Sequence, residues 1–181
     1  SREHKDVQDM LEGFYEIIYK ELSALDLDGQ YYADWTADEL FIIFYGNKNQ
    51  KEKVDNEALN FCHNLSTKLY IEISNNISNG IKYDIGISSG CGLIGLQGPG
   101  NFKKTTITGE VAGNAKRFET QAKKLRKANN NHSFPIVVMN KSLKEVALSG
   151  KSFNTQNFSD TKGDVKDIEG MDICFWQFKD I

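Results

Sequence analysis

The sequence has no apolar run approaching the roughly 20 residues that a membrane-spanning helix needs. It also has no leader of the secretory kind, with a basic start, an apolar stretch and a small-residue cleavage site. Cysteine is scarce and odd in number: Cys62, Cys91 and Cys174 lie far apart. That spacing argues against a disulfide framework and fits reduced core or strand thiols in a cytoplasmic protein. Histidine is equally sparse, and His4, His63 and His132 show no metal-ligand spacing with the cysteines, which argues against a structural zinc site. A dominant charge is missing too. Lysine and arginine number 22 against 25 acids, so the net charge of −3 gives no general attraction to nucleic acid or to an anionic membrane. There is no internal repeat and no interdomain linker.

What is present reads as one soluble domain over residues 1–181. That length is enough for a sizeable core, and 39% hydrophobic with 26% charged residues is an ordinary globular composition. The spacing of Val7, Met10, Leu11, Phe14, Ile17, Ile18 and Leu22 predicts an amphipathic helix over 5–25, followed by a turn at Asp26 to Gly29. Two strands are predicted at Gln30 to Tyr32 and at Leu40 to Tyr45. The second is a continuous apolar run, as in a strand covered on both faces. Asp34 to Glu39 reads as a polar elbow between them. A polar loop follows from Gly46 to Lys53, then a helix from about Asp55 to Asn75 with Ala58, Phe61, Cys62, Leu65 and Leu69 inward. Tyr83 to Ser88 reads as a strand, glycine-rich Gly90 to Gly100 as a hairpin or loop, and Lys104 to Thr108 as a strand. A third helix is predicted over about Glu110 to Lys127, with Val111, Ala115, Phe118, Ala122 and Leu125 inward and Asn129 to Asn131 ending it. A buried strand at Pro135 to Met139 and a short helix near Lys141 to Leu148 come next. A polar stretch over 149–164 and a closing strand at Asp172 to Phe178 complete the chain. The alternation predicts a layered α/β or α+β domain.

Three stretches together resemble the class III adenylate/guanylate cyclase catalytic domain. Tyr32 to Phe44 is similar to the family's strand–elbow–strand, with its Gly-Asp-Glu element before an apolar strand. Ile85-Gly86-Ile87-Ser88-Ser89-Gly90 is similar to the family's Gly-Ile-His-Ser-Gly strand and leads into Gly92-Leu93-Ile94-Gly95. Thr106 to Glu119, through Gly109-Glu110-Val111 and Asn114-Ala115-Lys116-Arg117, resembles the family's segment at the start of the third helix. Order and spacing agree over about residues 5–178. The resemblance implies an α+β fold, a ferredoxin-like βαββαβ core with helices on a mixed or antiparallel sheet. The N-terminal strand of that core is absent from the given residues. An unrelated ferredoxin-like α+β enzyme is the bland alternative.

The resemblance also implies the chemistry. The 3′-hydroxyl of a nucleoside triphosphate attacks its own α-phosphate and expels pyrophosphate, with two divalent ions, Mg²⁺ or Mn²⁺, as cofactors. Asp38 matches one of the two aspartates that hold the ions. The other belongs to a strand before the first helix, and since the sequence opens at Ser1 the natural protein is expected to extend upstream. Arg117 matches the arginine that stabilises charge on the α-phosphate, its plain alternative being a surface cation. The family's ribose-orienting asparagine falls at Gly113. Asn114 lies one step later, rotated by about 100° on a helix, and takes that role only if the helix start shifts. The family's phosphate-binding lysine falls at Glu169, before Gly170, so the charge is reversed; Lys162 and Lys166 are the nearest substitutes.

At the base-reading positions stand Asp34 and Thr106, with Trp35 offering a ring. A carboxylate accepts but cannot donate, so Asp34 cannot serve adenine N1 as a lysine does. ATP is therefore the least expected substrate. A pyrimidine triphosphate, UTP or CTP, is favoured and GTP comes next. The chain is similar in this to the small pyrimidine cyclases of bacterial anti-phage (Pycsar-type) systems. The implied partners are a nucleoside triphosphate and a second copy of the chain, a homodimer with composite sites. One face of the first or third helix and the glycine-rich loop would be buried between the copies; neither nucleic acid nor a membrane is expected as a partner. The competing function is a catalytically inactive homology domain that binds a nucleotide or a partner in a regulatory role, which Gly113 and Glu169 favour.

Overall fold

The computed structural model of the chain describes residues 2–25, 30–36, 39–76, 82–128, 135–150 and 157–177. Its first helix, α1 (Arg2–Ser23), turns Phe14, Ile17, Ile18 and Leu22 into the core as their spacing requires. The strands β1 (Tyr31–Thr36) and β2 (Glu39–Phe44) form an antiparallel hairpin, in register from Tyr31 opposite Phe44 to Thr36 opposite Glu39. The ladder therefore runs almost to the turn. Asp34, Trp35, Thr36 and Glu39, predicted to lie in the elbow, are strand residues, and only positions 37–38 remain outside the described residues. The predicted turn at 26–29 lies outside them as well. Of the apolar run in β2, only Ile43 is buried. Its alternate residues Leu40, Ile42 and Phe44 pack on the helical core, while Phe41 and Ile43 look the other way.

Helix α2 (Lys51–Asn76) starts four residues before the predicted Asp55. A single 3₁₀ turn at Lys48–Gln50 launches it. There the Asn47 side chain accepts from the Asn49 N–H at 3.0 Å and the Gln50 side chain from the Asn47 N–H at 3.0 Å. Leu59, Phe61, Cys62, Leu65 and Leu69 form its buried face, and the predicted Ala58 is only half-buried. Next come β3 (Ile85–Ile87), β4 (Leu93–Gln97), β5 (Lys104–Thr108), α3 (Glu110–Ala128), β6 (Ile136–Asn140), α4 (Lys141–Ser149), β7 (Phe158–Lys162) and β8 (Asp172–Gln177). The glycine-rich stretch thus holds a strand, β4, laddered against β5. Strand β7 sits in the segment read as irregular. It is an edge strand whose Ser159, Asp160 and Lys162 face solvent, so it has no apolar alternation to betray it.

The main sheet has the order β3–β6–β8–β7, with β3 parallel to β6 and the other pairs antiparallel. The chain is α+β, with helices on both faces of this mixed sheet. Strand β6 divides the core by simple alternation. Val137 and Met139 face α1, α2 and α4, whereas Ile136 and Val138 face Phe118 and Ala122 of α3; all four strand residues are fully buried. The two hairpins β1–β2 and β4–β5 are separate sheets, and no described strand joins β2 to β3. Among the described residues the strands thus form one four-stranded sheet and two two-stranded hairpins. No described helix is long and apolar enough to cross a membrane. Cys62 and Cys174 are buried and Cys91 exposed, all three free; burial pushes the Cys62 and Cys174 thiols up to about 12.

Two contacts hold α3 on β3. A Cβ at Gly86 would run into the Ala115 carbonyl oxygen and the Glu119 nitrogen and come within 2.9 Å of the Phe118 carbonyl carbon, so helix and strand backbones touch directly. Asp84, just before β3, accepts from Arg126 Nε at 2.8 Å and from Nη2 at 2.6 Å, both side chains being almost fully buried. Gly86→Val should therefore lower stability by roughly 3 kcal/mol, the upper part of the usual overpacking range. Chemical denaturation checks this; a loss near zero would mean that α3 can lift off β3 freely.

Candidate functional site

A cavity of about 280 Å³ lies between the β1–β2 hairpin and β5, lined by Tyr32, Asp34, Phe41, Ile43, the run Lys104 to Ile107, and Ala112 at the start of α3. Strand alternation builds its first wall. Tyr32 pairs with Ile43 and Asp34 with Phe41, so all four project from one face, opposite the face that packs on the helices. The second wall is β5, where Lys104 and Thr106 are two residues apart and share a face. Asp34 is ion-paired with Lys104 across the gap. That hydrogen bond holds the Lys104 ammonium above the ordinary lysine range, against the opposing pull of desolvation.

The structure thus brings Asp34 and Thr106 into one cavity. It sends Trp35 elsewhere. One residue on from Asp34, its ring faces α1 and meets Tyr15 edge-on at 4.5 Å and Phe14 at 6.1 Å. Asp38 lies outside the described residues. Its neighbour Glu39 accepts from Lys116 of α3 at 2.7 Å. Among the described residues no three His, Cys, Asp or Glu side chains converge as a cation site. With Asp34 and Glu39 already engaged by lysines, the described side chains do not fit a pair of divalent ions.

Arg117 is a half-buried residue of α3 that donates from Nη2 to Asp167 Oδ2 at 2.8 Å. Asp167 belongs to the β7–β8 connection and has the left-handed φ of 68°. The guanidinium folds back over its own helix, and a Cβ at Gly113 would touch Arg117 Nη1. Helix α3 starts at Glu110, as predicted, so its register is unshifted and Asn114 stays rotated by about 100° from the face of Gly113 and Arg117. Neither Asn114 nor Arg117 lines the cavity; α3 contributes only Ala112. Glu169 and Gly170 form an exposed turn in the same connection as Asp167, and Lys162 is tied to Asp172 at 2.7 Å.

Sequence reasoning missed two residues, Lys104 and Asp167. Lys104 had a signal, since any residue two before Thr106 on a strand shares its face. Asp167 had none, because its place depends on how the last hairpin folds over α3. A second cavity, of about 310 Å³ between α1 and α2, is lined by Glu21, Glu57, Asn60 and Asn64 among others and holds none of the predicted residues.

The Gly113 contact is testable. Alanine adds roughly 0.5–1 kcal/mol of helix stability over glycine, and the obstacle here is only the far end of the Arg117 side chain. Gly113→Ala should therefore raise the melting temperature; a fall would show that the Arg117 guanidinium is locked in place.

No protein-family model matches the sequence, and no curated protein matches it. Solved structures do resemble it. The adenylyl cyclase CyaB from P. aeruginosa superposes with a TM-score of 0.66 at 13% identity, over 98% of this chain and 84% of that one. The guanylyl cyclase Cya2 gives 0.61 at 11%, over 94% of this chain and 80% of that one. A bacterial light-regulated adenylyl cyclase gives 0.64 at 13%, over 94% of this chain, which spans only 44% of that longer protein. At such identities the likeness is one of architecture. The chain has the fold that these adenylyl and guanylyl cyclase structures share.

Proposed function

We propose that this chain is the catalytic domain of a cytoplasmic nucleotidyl cyclase, converting a nucleoside triphosphate to its 3′,5′-cyclic nucleotide and pyrophosphate. A pyrimidine triphosphate is preferred, GTP comes next and ATP last. One observation carries the reading: on a cyclase fold, the two residues at the base-reading positions, Asp34 and Thr106, line the same cavity. In the reaction the 3′-oxygen bonds to the α-phosphorus while the bond to the bridging oxygen breaks. Pyrophosphate leaves with that electron pair, and the hydroxyl proton passes to solvent. Arg117 is assigned to neutralise charge growing on the α-phosphate. To do so it exchanges Asp167 for phosphate. An ion pair this exposed is worth only about 0–1 kcal/mol, so the exchange is cheap. Asn114 is assigned to the ribose and Trp35 to the nucleotide only if a second copy or a bound ligand repositions them.

Asp38 is the residue assigned to a divalent cation, Mg²⁺ or Mn²⁺. Of the described carboxylates nearest to it in sequence, Asp34 and Glu39 are engaged by Lys104 and Lys116, so cation dependence is left to the assay. The separation of Arg117 from the cavity favours composite sites in a homodimer. So does the β4–β5 hairpin, where Leu93, Leu96 and Phe102 are 77%, 67% and 86% exposed. The pyrimidine preference carries with it the anti-phage signalling role that the resemblance implies. A second reading, an inactive nucleotide-binding homology domain, is favoured by Gly113, by Glu169 and by the Asp167 contact that occupies Arg117.

Incubation with Mn²⁺ and each of ATP, GTP, CTP and UTP decides between the two. The expected result is a cyclic pyrimidine nucleotide; repeating the incubation without Mn²⁺ measures the cation dependence. Absence of any cyclic product favours the inactive domain, and a predominance of cyclic AMP overturns the reading of Asp34. The double variant Leu93→Glu/Leu96→Glu should convert a dimer to a monomer in light scattering; an unchanged mass would remove the hairpin from the interface.

A further inference from the structure

Resting on the reading that the nucleotide's base enters the β1–β2/β5 cavity, we propose that Lys104 is a specificity residue and that Lys104, Asp34 and Thr106 together read the imide edge of uracil.

The argument starts from what the Asp34–Lys104 pair does not do. The two hairpins it connects share no backbone ladder, yet the pair is a weak fastener. The Lys104 side chain is 57% exposed and that of Asp34 28%, and exposed pairs of this kind stabilise a fold by about 0–1 kcal/mol. What it does provide is a charged acceptor and a charged donor side by side in a cavity lined otherwise by apolar Phe41, Ile43, Ile107 and Ala112 and by the hydroxyl-bearing Tyr32, Thr105 and Thr106. An apolar slot with a few placed polar groups is the usual form of a small-ligand site. At about 280 Å³ it lies just under the ~300–1,000 Å³ usual for such pockets, a size for one flat ring rather than a whole triphosphate.

The polar groups specify which ring. Lysine only donates, a carboxylate only accepts, and a threonine hydroxyl can donate. Lys104 and Thr106 share a face of β5, and Asp34 meets them from the facing strand. In this proposal Asp34, coming from the facing strand, lies between the two donors, and the complement of donor, acceptor, donor is an edge ordered acceptor, N–H, acceptor. Uracil's C2 carbonyl, N3–H and C4 carbonyl form such an edge. Guanine offers one carbonyl with two donors. Adenine has no carbonyl. Cytosine replaces the N3–H by an acceptor and the C4 carbonyl by an amino group, which would meet a donor. When the base enters, the ammonium trades part of its bond to Asp34 for a ring carbonyl, and Asp34 turns to the N3–H. Neither group is left unpaired before or after, which avoids the cost of a buried orphan.

Binding of non-cleavable α,β-methylene analogues of UTP, CTP, GTP and ATP, measured by titration calorimetry, tests this apart from turnover. The wild-type protein should bind the UTP analogue tightest. Lys104→Met keeps the stem and removes the ammonium. It should weaken the UTP analogue by about 10- to 100-fold, as expected for losing a hydrogen bond from a charged group, and pull the UTP/CTP ratio toward one. Lys104→Arg should keep that preference. A tightest analogue other than UTP, a ratio unchanged in Lys104→Met, or no binding of any analogue overturns the inference. UTP-selective binding without cyclic product would leave the inference standing while rejecting the cyclase activity.

Discussion

The backbone of α3 rests directly on the backbone of β3 at Gly86, and most of what positions the candidate site hangs from that contact. The Asp84–Arg126 pair pins the far end of the helix to the same strand, through two hydrogen bonds shielded from water. With α3 placed, its first turn is placed, and so is the strand that feeds it. Gly109, at φ 128°, makes a turn that a side chain would strain, carrying β5 into the helix and setting the second wall of the cavity. Buried Phe118 and Ala122 then close one half of the core against Ile136, Val138 and Ile173.

Electrostatics within the chain follow a common pattern. Three groups that the cyclase resemblance or its neighbourhood singles out, Asp34, Glu39 and Arg117, each hold an opposite charge: Lys104, Lys116 and Asp167. None of these pairs is deeply buried, so none is a large term in stability. Pairs this exposed orient a side chain at little cost, and little is lost when one is exchanged for another partner. The contrast is Asp84–Arg126, whose desolvation makes exchange expensive and whose role is architectural.

Much of the architecture was readable residue by residue. Strand β5 and the start of α3 stand where the β-branched run and Gly109-Glu110 placed them. Helix α2 began early because a short-range cap, Asn47 with Gln50, outweighed the polar look of the stretch. The elbow proved shorter than its polar composition suggested, since cross-strand pairing carries Asp34 to Thr36 into the ladder whatever their propensity. Arg126, one of several helix cations by sequence, is buried because Asp84 waits across the interface. For the site, the pairing of Asp34 with Thr106 could be anticipated, but the removal of Trp35 to the α1 face required the hairpin's register.

By itself, the sequence determined a layered domain of mixed helices and strands, the helix periodicities and the order of candidate motifs along the chain, because these depend on local spacing of apolar residues and on glycine; the α+β class came from the resemblance. Tertiary structure alone decided which charges meet. Lys104 reaches Asp34, and Asp167 reaches Arg117, from segments 70 and 50 residues away. Such pairings are set by how hairpins stack on α3, a long-range geometry that no local pattern encodes.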